Sequence, residues 1–362
     1  MIFQDSRISN FDTIWVQLGC LVVFIVALLL SLRGIKFISK ISSVAGISMF
    51  VMSLLYILLV WTAPVLTGTK LELVELKPEN FIPQDPTVYL NISILIFAVG
   101  GCEKISPYVN QMRKPGKDFP MGMIFLAVMV MVCAILGSLA MGMMFDSSQM
   151  YDADYQSYFL AHGQYDAFAQ LGEYYHVGNA FLIVYCACNA IGQFSVLIIS
   201  IDAPLKIMLS NADKKFVPTW WFKTNKNGSY TNGLKVACAI VVVLLIIPCL
   251  GIPDVNSFIK MLIKLNSVCM PLRYLFVFAA YIGLKIHFNK FEKSEYTFVK
   301  NKTLGVIVGG WCFLVTLVSA IAGMYSTDTF TMVLNVATPI ILLGIGLLLP
   351  AWAKRERKKA KA

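Results

Sequence analysis

The stretch Val88-Tyr89-Leu90-Asn91-Ile92-Ser93-Ile94-Leu95-Ile96-Phe97-Ala98-Val99-Gly100-Gly101-Cys102-Glu103-Lys104-Ile105-Ser106-Pro107 decides what kind of molecule this is. It is long and apolar enough to cross a bilayer, yet it holds a glycine pair and then an acid. An ionised carboxylate inside hydrocarbon costs about 2.5–3.5 kcal/mol even on the lenient insertion scale. Each glycine weakens a helix by about 1 kcal/mol relative to alanine. Backbone groups freed at that depth must be received by protein or by a water-filled cavity. A broken helix carrying a charge at mid-membrane is the mark of a solute site in a secondary transporter.

The composition around it agrees. The chain has 362 residues, is 58% hydrophobic and 14% charged, and has a mean hydropathy of +0.72. A soluble domain is nearer 45–50% apolar and about 25% charged. This is a polytopic, all-α membrane protein, since helices satisfy their own backbone in lipid. The first dozen residues are polar and lack a basic n-region, so no cleavable signal peptide is expected. The nine cysteines all fall in hydrophobic stretches and form no C-x-x-C pair, so neither a zinc site nor a disulfide framework is implied. Three scattered histidines make no metal site, and no phosphate-binding loop or nucleophile elbow is present. Catalysis and ATP-driven transport are not indicated, and no cofactor is expected.

Nine spans of about 20 apolar residues can be placed, at 13–32, 41–63, 88–109, 121–144, 177–201, 233–250, 258–284, 304–324 and 332–350. The cations orient them. With the tail Lys354-Arg355-Glu356-Arg357-Lys358-Lys359 inside, the connections holding Arg33/Lys36/Lys40, Arg113/Lys114/Lys117, Lys206/Lys214/Lys215 and Lys290/Lys293/Lys300 are cytoplasmic too. The outer loops hold acids instead, among them Asp146, Asp152, Asp154, Asp166 and Glu173. The net charge of +10 therefore gathers on the cytoplasmic face, where it meets anionic lipid headgroups or fixes topology; nucleic acid is a poor explanation for it. Five charges remain in the membrane: Glu103, Lys104, Lys260, Lys264 and Arg273. The odd number of spans puts Met1 outside, which suggests a miscounted span or missing upstream helices.

The opening stretch continues into Tyr108-Val109-Asn110-Gln111-Met112-Arg113-Lys114-Pro115-Gly116-Lys117-Asp118-Phe119-Pro120. A broken helix with G-x-E, then a short basic loop with prolines entering the next helix, resembles the sixth helix of amino acid permeases of the amino acid–polyamine–organocation superfamily. Asp202-Ala203-Pro204-Leu205-Lys206, followed by Lys223-Thr224-Asn225-Lys226-Asn227-Gly228, is similar to that family's cytoplasmic segment after helix eight. Arg33-Gly34-Ile35-Lys36-Phe37 is similar to its entry to helix five. Nearly the whole chain is covered. The nearest flavour is that of bacterial glutamate/GABA antiporter-like permeases.

The resemblance implies a LeuT-like fold of two inverted five-helix repeats plus two extra helices. Residues 9–63 would close the first repeat, 88–284 form the second and 304–350 supply the extra pair, within a single transmembrane domain over 1–350 followed by a basic cytoplasmic tail at 351–362. The nine spans then correspond to helices four to twelve of twelve. The expectation is an N-terminally truncated permease that does not transport as given. The function implied is secondary transport of amino acids by alternating access across a bacterial inner membrane, coupled to protons or to counter-substrate. The competing reading is a non-transporting fragment or scaffolding subunit. Oligomeric state is not legible.

The candidate site residues follow. Glu103, just after the break, is by family analogy a gating or proton-coupling acid; the alternative is a structural acid paired with a buried cation. Gly100 and Gly101 form an unwound segment whose backbone approaches the substrate, or else a close helix contact. Phe97 falls where the family places an aromatic gate, although a membrane phenylalanine also suits lipid or core. Arg273, deep in its span, pairs with Glu103, pairs with an acid on a missing helix, or attracts an anionic substrate. Four cations against one acid favour a substrate with a second carboxylate. Asn189 and Gln193 lie on a polar stripe with Tyr185 and Ser195; they line the path or bond between helices. The outer loop 145–175 holds a candidate interfacial helix at about 155–172.

Overall fold

The computed structural model describes residues 13–71, 92–145, 153–210, 212–250, 255–287, 296–326 and 328–359. The described residues are helical, apart from turns and one isolated bridge between Thr224 and Tyr230. Among the described residues ten α-helices follow in order: α1 Thr13–Ser31, α2 Ile35–Leu66, α3 Ile92–Val99, α4 Pro115–Met144, α5 Ala153–Tyr174, α6 Ala180–Leu209, α7 Thr231–Ile246, α8 Val255–Ile286, α9 Lys302–Met324 and α10 Thr329–Lys359. The 3-10 segments Cys102–Gln111, Thr219–Phe222 and Ile247–Leu250 lie between them. Among the described residues, nine helical stretches are long and apolar enough to cross a membrane. Their outward faces are rows of Leu, Ile, Val and Phe; of the α4 window only 6% is buried. Such faces suit hydrocarbon and would be untenable in water.

The chain divides into two compact units. The first comprises Met1–Asn80, Phe125–Asp202 and Thr224–Leu234. Its core is built by α2, α4, α5 and α6 around Tyr56, Val60, Phe168, Leu171 and Tyr185. Phe168 stacks on Tyr185 at 4.3 Å between ring centroids, and Tyr56 tilts against Phe168 at 5.5 Å. The Tyr175 hydroxyl donates to Leu59 O at 2.7 Å and meets Thr62 Oγ1 at 2.8 Å, fixing the end of α5 against α2. Asn225 and Asn227 both donate to Leu32 O at 2.9 Å, so the polar turn 223–228 closes the gap between α1 and α2.

The second unit comprises Phe81–Ile124, Ala203–Lys223 and Lys235–Ala362. Within it α8 packs along α9 and also meets α3 and α10. Ser93 of α3 is buried against Gly323 of α9. Asn301 caps α9 by accepting from Leu304 N at 3.2 Å. Asp328 does the same for α10, accepting from Thr331 N at 2.8 Å and from its hydroxyl at 2.5 Å.

Several boundaries differ from the sequence reading. Residues 88–91 and 9–12 lie outside the described residues. Helix α6 does not stop at residue 201 but runs to Leu209, so Asp202 and Lys206 are buried helical side chains. They stand four residues apart, where opposite charges support a helix, and Lys206 also sits 4.8 Å from the Tyr108 ring centroid. The basic tail continues the last helix as far as it is described: α10 passes Pro350 and runs to Lys359, because Ala, Lys, Arg and Glu are strong helix formers. Its end is tied down. Glu356 accepts from Thr219 N at 2.9 Å and from the Thr219 hydroxyl, and Arg357 donates to Lys215 O at 2.7 Å. The expected helix at 155–172 is α5, in contact with α2.

Candidate functional site

Helix α3 ends at Val99, and the chain turns through the glycine pair. Gly101 has φ 113° and ψ −12°, a left-handed conformation strained for any side chain. At Gly100 the constraint is space: a Cβ there would collide with Met270 Cε and lie 2.6 Å from Tyr274 Oη. Beyond the pair the chain does not resume an α-helix, as the sequence reading expected of its second half. It winds as a 3-10 helix from Cys102 to Gln111 with Pro107 inside. Proline has no N–H to return to the carbonyl of Glu103, which favours the tighter winding. A 3-10 run of this length is uncommon, because its hydrogen-bond geometry is poorer than that of an α-helix.

Glu103 turns back over the break. Its Oε2 accepts from Gly101 N at 3.0 Å and from the Tyr274 hydroxyl at 2.7 Å; its Oε1 accepts from Arg273 Nη2 at 2.5 Å. The Tyr274 oxygen in turn accepts from Gly101 N at 3.0 Å. The Arg273 guanidinium lies 5.7 Å from the Tyr274 ring centroid. The Arg273 side chain is 53% exposed and that of Glu103 22%, so the pair borders open space. Of the sequence alternatives for Arg273, the structure makes the pair with Glu103.

Phe97 lies half-buried on α3, three residues before the break, and its carbonyl accepts from Gly100 N at 3.3 Å. Asn189 and Gln193 are in the first unit, in neutral hydrogen bonds. Asn189 Nδ2 donates to Tyr165 Oη at 2.7 Å, and Gln193 Nε2 to Asn189 Oδ1 at 3.4 Å. Tyr185 donates to Gln164 Oε1, and Ser195 to Ser42 Oγ at 3.1 Å. A cavity of about 470 Å³ in the same unit is lined by Met52, Tyr56, Ser138, Gln164, Phe168 and Tyr185 among others. None of the residues expected to bind substrate lines it. Lys264 reaches Ser326 Oγ at 3.5 Å. No group of three His, Cys, Asp or Glu side chains among the described residues is placed to hold a metal.

Sequence reasoning missed Tyr274. One signal was present: a hydroxyl beside Arg273 in an apolar helix, one turn beyond Met270.

The amino acid permease family model matches residues 2–350. The chain belongs to the amino acid permease family. It is 42% identical over 371 residues to the aspartate/glutamate permease AcaP of Lactococcus lactis subsp. cremoris (strain MG1363), covering 99% of this chain and 74% of that one. It is 24% identical over 366 residues to the inner membrane transporter YjeM of Salmonella typhimurium, covering 94% of this chain and 68% of the relative. The Escherichia coli K12 YjeM protein is 24% identical over 301 residues, or 77% of this chain and 58% of its own length. This permease is thus a multi-pass membrane protein with the LeuT-like fold of its family. It moves amino acids and is not an enzyme.

Proposed function

We propose that this permease carries acidic amino acids, aspartate and glutamate, across a bacterial cytoplasmic membrane by alternating access, coupled to protons or to counter-substrate. The observation that carries the reading is the half-exposed guanidinium of Arg273 at the helix break. A cation beside unwound backbone, on a helix whose other charges within the span are the lysines Lys260 and Lys264, favours a substrate with an additional negative charge. The 42% identity to an aspartate/glutamate permease supports the same class. GABA, with a single carboxylate, fits this site less well than the dicarboxylic amino acids do.

In this reading Gly100 and Gly101 offer backbone to the substrate, Phe97 stands over it, and Glu103 is the carboxylate that couples movement to a proton or counter-substrate. The part of Asn189 and Gln193 in lining the path is read from family position. Helices α1 and α2 would close the first repeat, α3 to α8 form the second, and α9 and α10 are the extra pair. The C-terminus of α10 would be cytoplasmic.

Uptake of labelled L-aspartate, L-glutamate, GABA, L-leucine and L-lysine by cells producing the protein from its complete gene tests this. Saturable uptake of aspartate and glutamate, outcompeted by neither leucine nor lysine, is expected. A preference for lysine would defeat the proposal.

A further inference from the structure

Three donors from two elements converge on one carboxylate: the Gly101 N–H, the Tyr274 hydroxyl and the Arg273 guanidinium. Together they serve both oxygens of Glu103, and nothing in their geometry is particular to a glutamate of this chain. The same array fits any carboxylate, and charge-assisted bonds of this kind are the strong ones. Arg273 holds the cation that the proposed substrate needs, yet in this structure it is engaged by the protein's own acid. A second carboxylate on the same guanidinium would face Glu103 at a few ångströms, where like charges repel.

We propose that the Gly101–Arg273–Tyr274 cradle is a carboxylate receptor and that Glu103 is its resident competitor. The side-chain carboxylate of an acidic substrate takes the cradle only when Glu103 leaves it. This rests on the acidic-substrate reading above and reverses the sign of one expectation. A residue that binds substrate weakens binding when it is removed; a resident competitor strengthens it. The break supplies the freedom for the exchange, because Glu103 sits on the 3-10 run two residues beyond the left-handed glycine.

The test measures dissociation constants of L-aspartate and its uncharged isostere L-asparagine for the purified protein and for Glu103→Gln. If Glu103 fills the cradle nine-tenths of the time, relieving it tightens aspartate binding by about tenfold, with asparagine changed by less than about twofold. Weaker aspartate binding in Glu103→Gln, or equal changes for both ligands, would overturn the proposal; equal changes would mean that Arg273 holds substrate beside Glu103. A second arm uses Glu103→Ala, which empties the cradle: formate, and not formamide, should raise its unfolding temperature. Should that variant fail to fold, the Gln variant decides alone. Absence of acidic amino acid binding in every form, wild type included, would sink the substrate reading. Absence of formate protection in folded Glu103→Ala, with aspartate binding intact in the wild type, would sink the receptor alone.

Discussion

The helix break and the α6 stripe are both polar insertions in apolar spans, and they are held in opposite ways. At the break the backbone itself opens, and a charged pair closes over it with Tyr274 and the Gly101 N–H. On α6 the helix is continuous through Tyr185, Asn189 and Gln193, and neutral side chains pair with neutral side chains beside stacked rings. Neutral bonds between membrane helices are modest, averaging about 0.6 kcal/mol. They join helices without demanding one state. A charged cluster over an open backbone is more sensitive, because removing one member strands another. Conditional behaviour is therefore expected at the break, and passive cohesion at the stripe.

The contrast is broken most directly at Arg273. In Arg273→Gln, Glu103 loses its cation, and the catalytic efficiency of aspartate uptake should fall ten- to a hundredfold, in line with about 1.5–3 kcal/mol for hydrogen bonds to charged groups. A loss of less than threefold would make the pair a bystander. Next comes Gly100→Ala, whose added methyl meets Met270 and Tyr274. Overpacking of this kind costs about 1–3 kcal/mol, to be read as a lower unfolding temperature in detergent together with reduced uptake. Asn189→Ala should do less: a destabilisation of about 0.6 kcal/mol, with uptake within about twofold of wild type. A tenfold transport defect there would move the stripe into the site and erase the distinction.

The smallest effect tests a charge outside the spans. The hydroxyl and backbone N–H of Thr331 hold the Asp328 carboxyl below the usual carboxylate range. Its folded value being depressed, the cap on α10 is fully present above the unfolded value of about 4 and fades as pH falls through the lower folded one. Unfolding temperatures of wild type and Asp328→Ala should differ at neutral pH and converge in strong acid. A difference that persists unchanged in strong acid would remove the carboxylate from the cap.

Much of this architecture was legible in the sequence, because length and apolarity alone mark a spanning helix and the glycine pair marks its interruption. Glu103 and Arg273 were singled out from the sequence through the cost of charges in a membrane, and their pairing was one of the alternatives it left open. What remained hidden has physical causes. Charge does not end a helix, so Asp202, Lys206 and the run to Lys359 were assigned to connections although each belongs to α6 or α10. Winding depends on which carbonyls lose partners, so the 3-10 character after Gly101 was not apparent from polarity. Tyr274 was passed over because a tyrosine in a membrane helix has many uses, and only proximity to the break singles it out.

The end of α10 carries one more consequence. Trp352 lies 5.7 Å from Trp220, which lies 5.4 Å from Trp221, measured between ring centroids. Three of the six tryptophans thus share one corner, held there by the Glu356–Thr219 and Arg357–Lys215 bonds. Half of the protein's tryptophans therefore report on that corner. Release of the helix end would shift the emission spectrum with no label added, giving an optical handle on whether the C-terminal turn stays docked during a transport cycle.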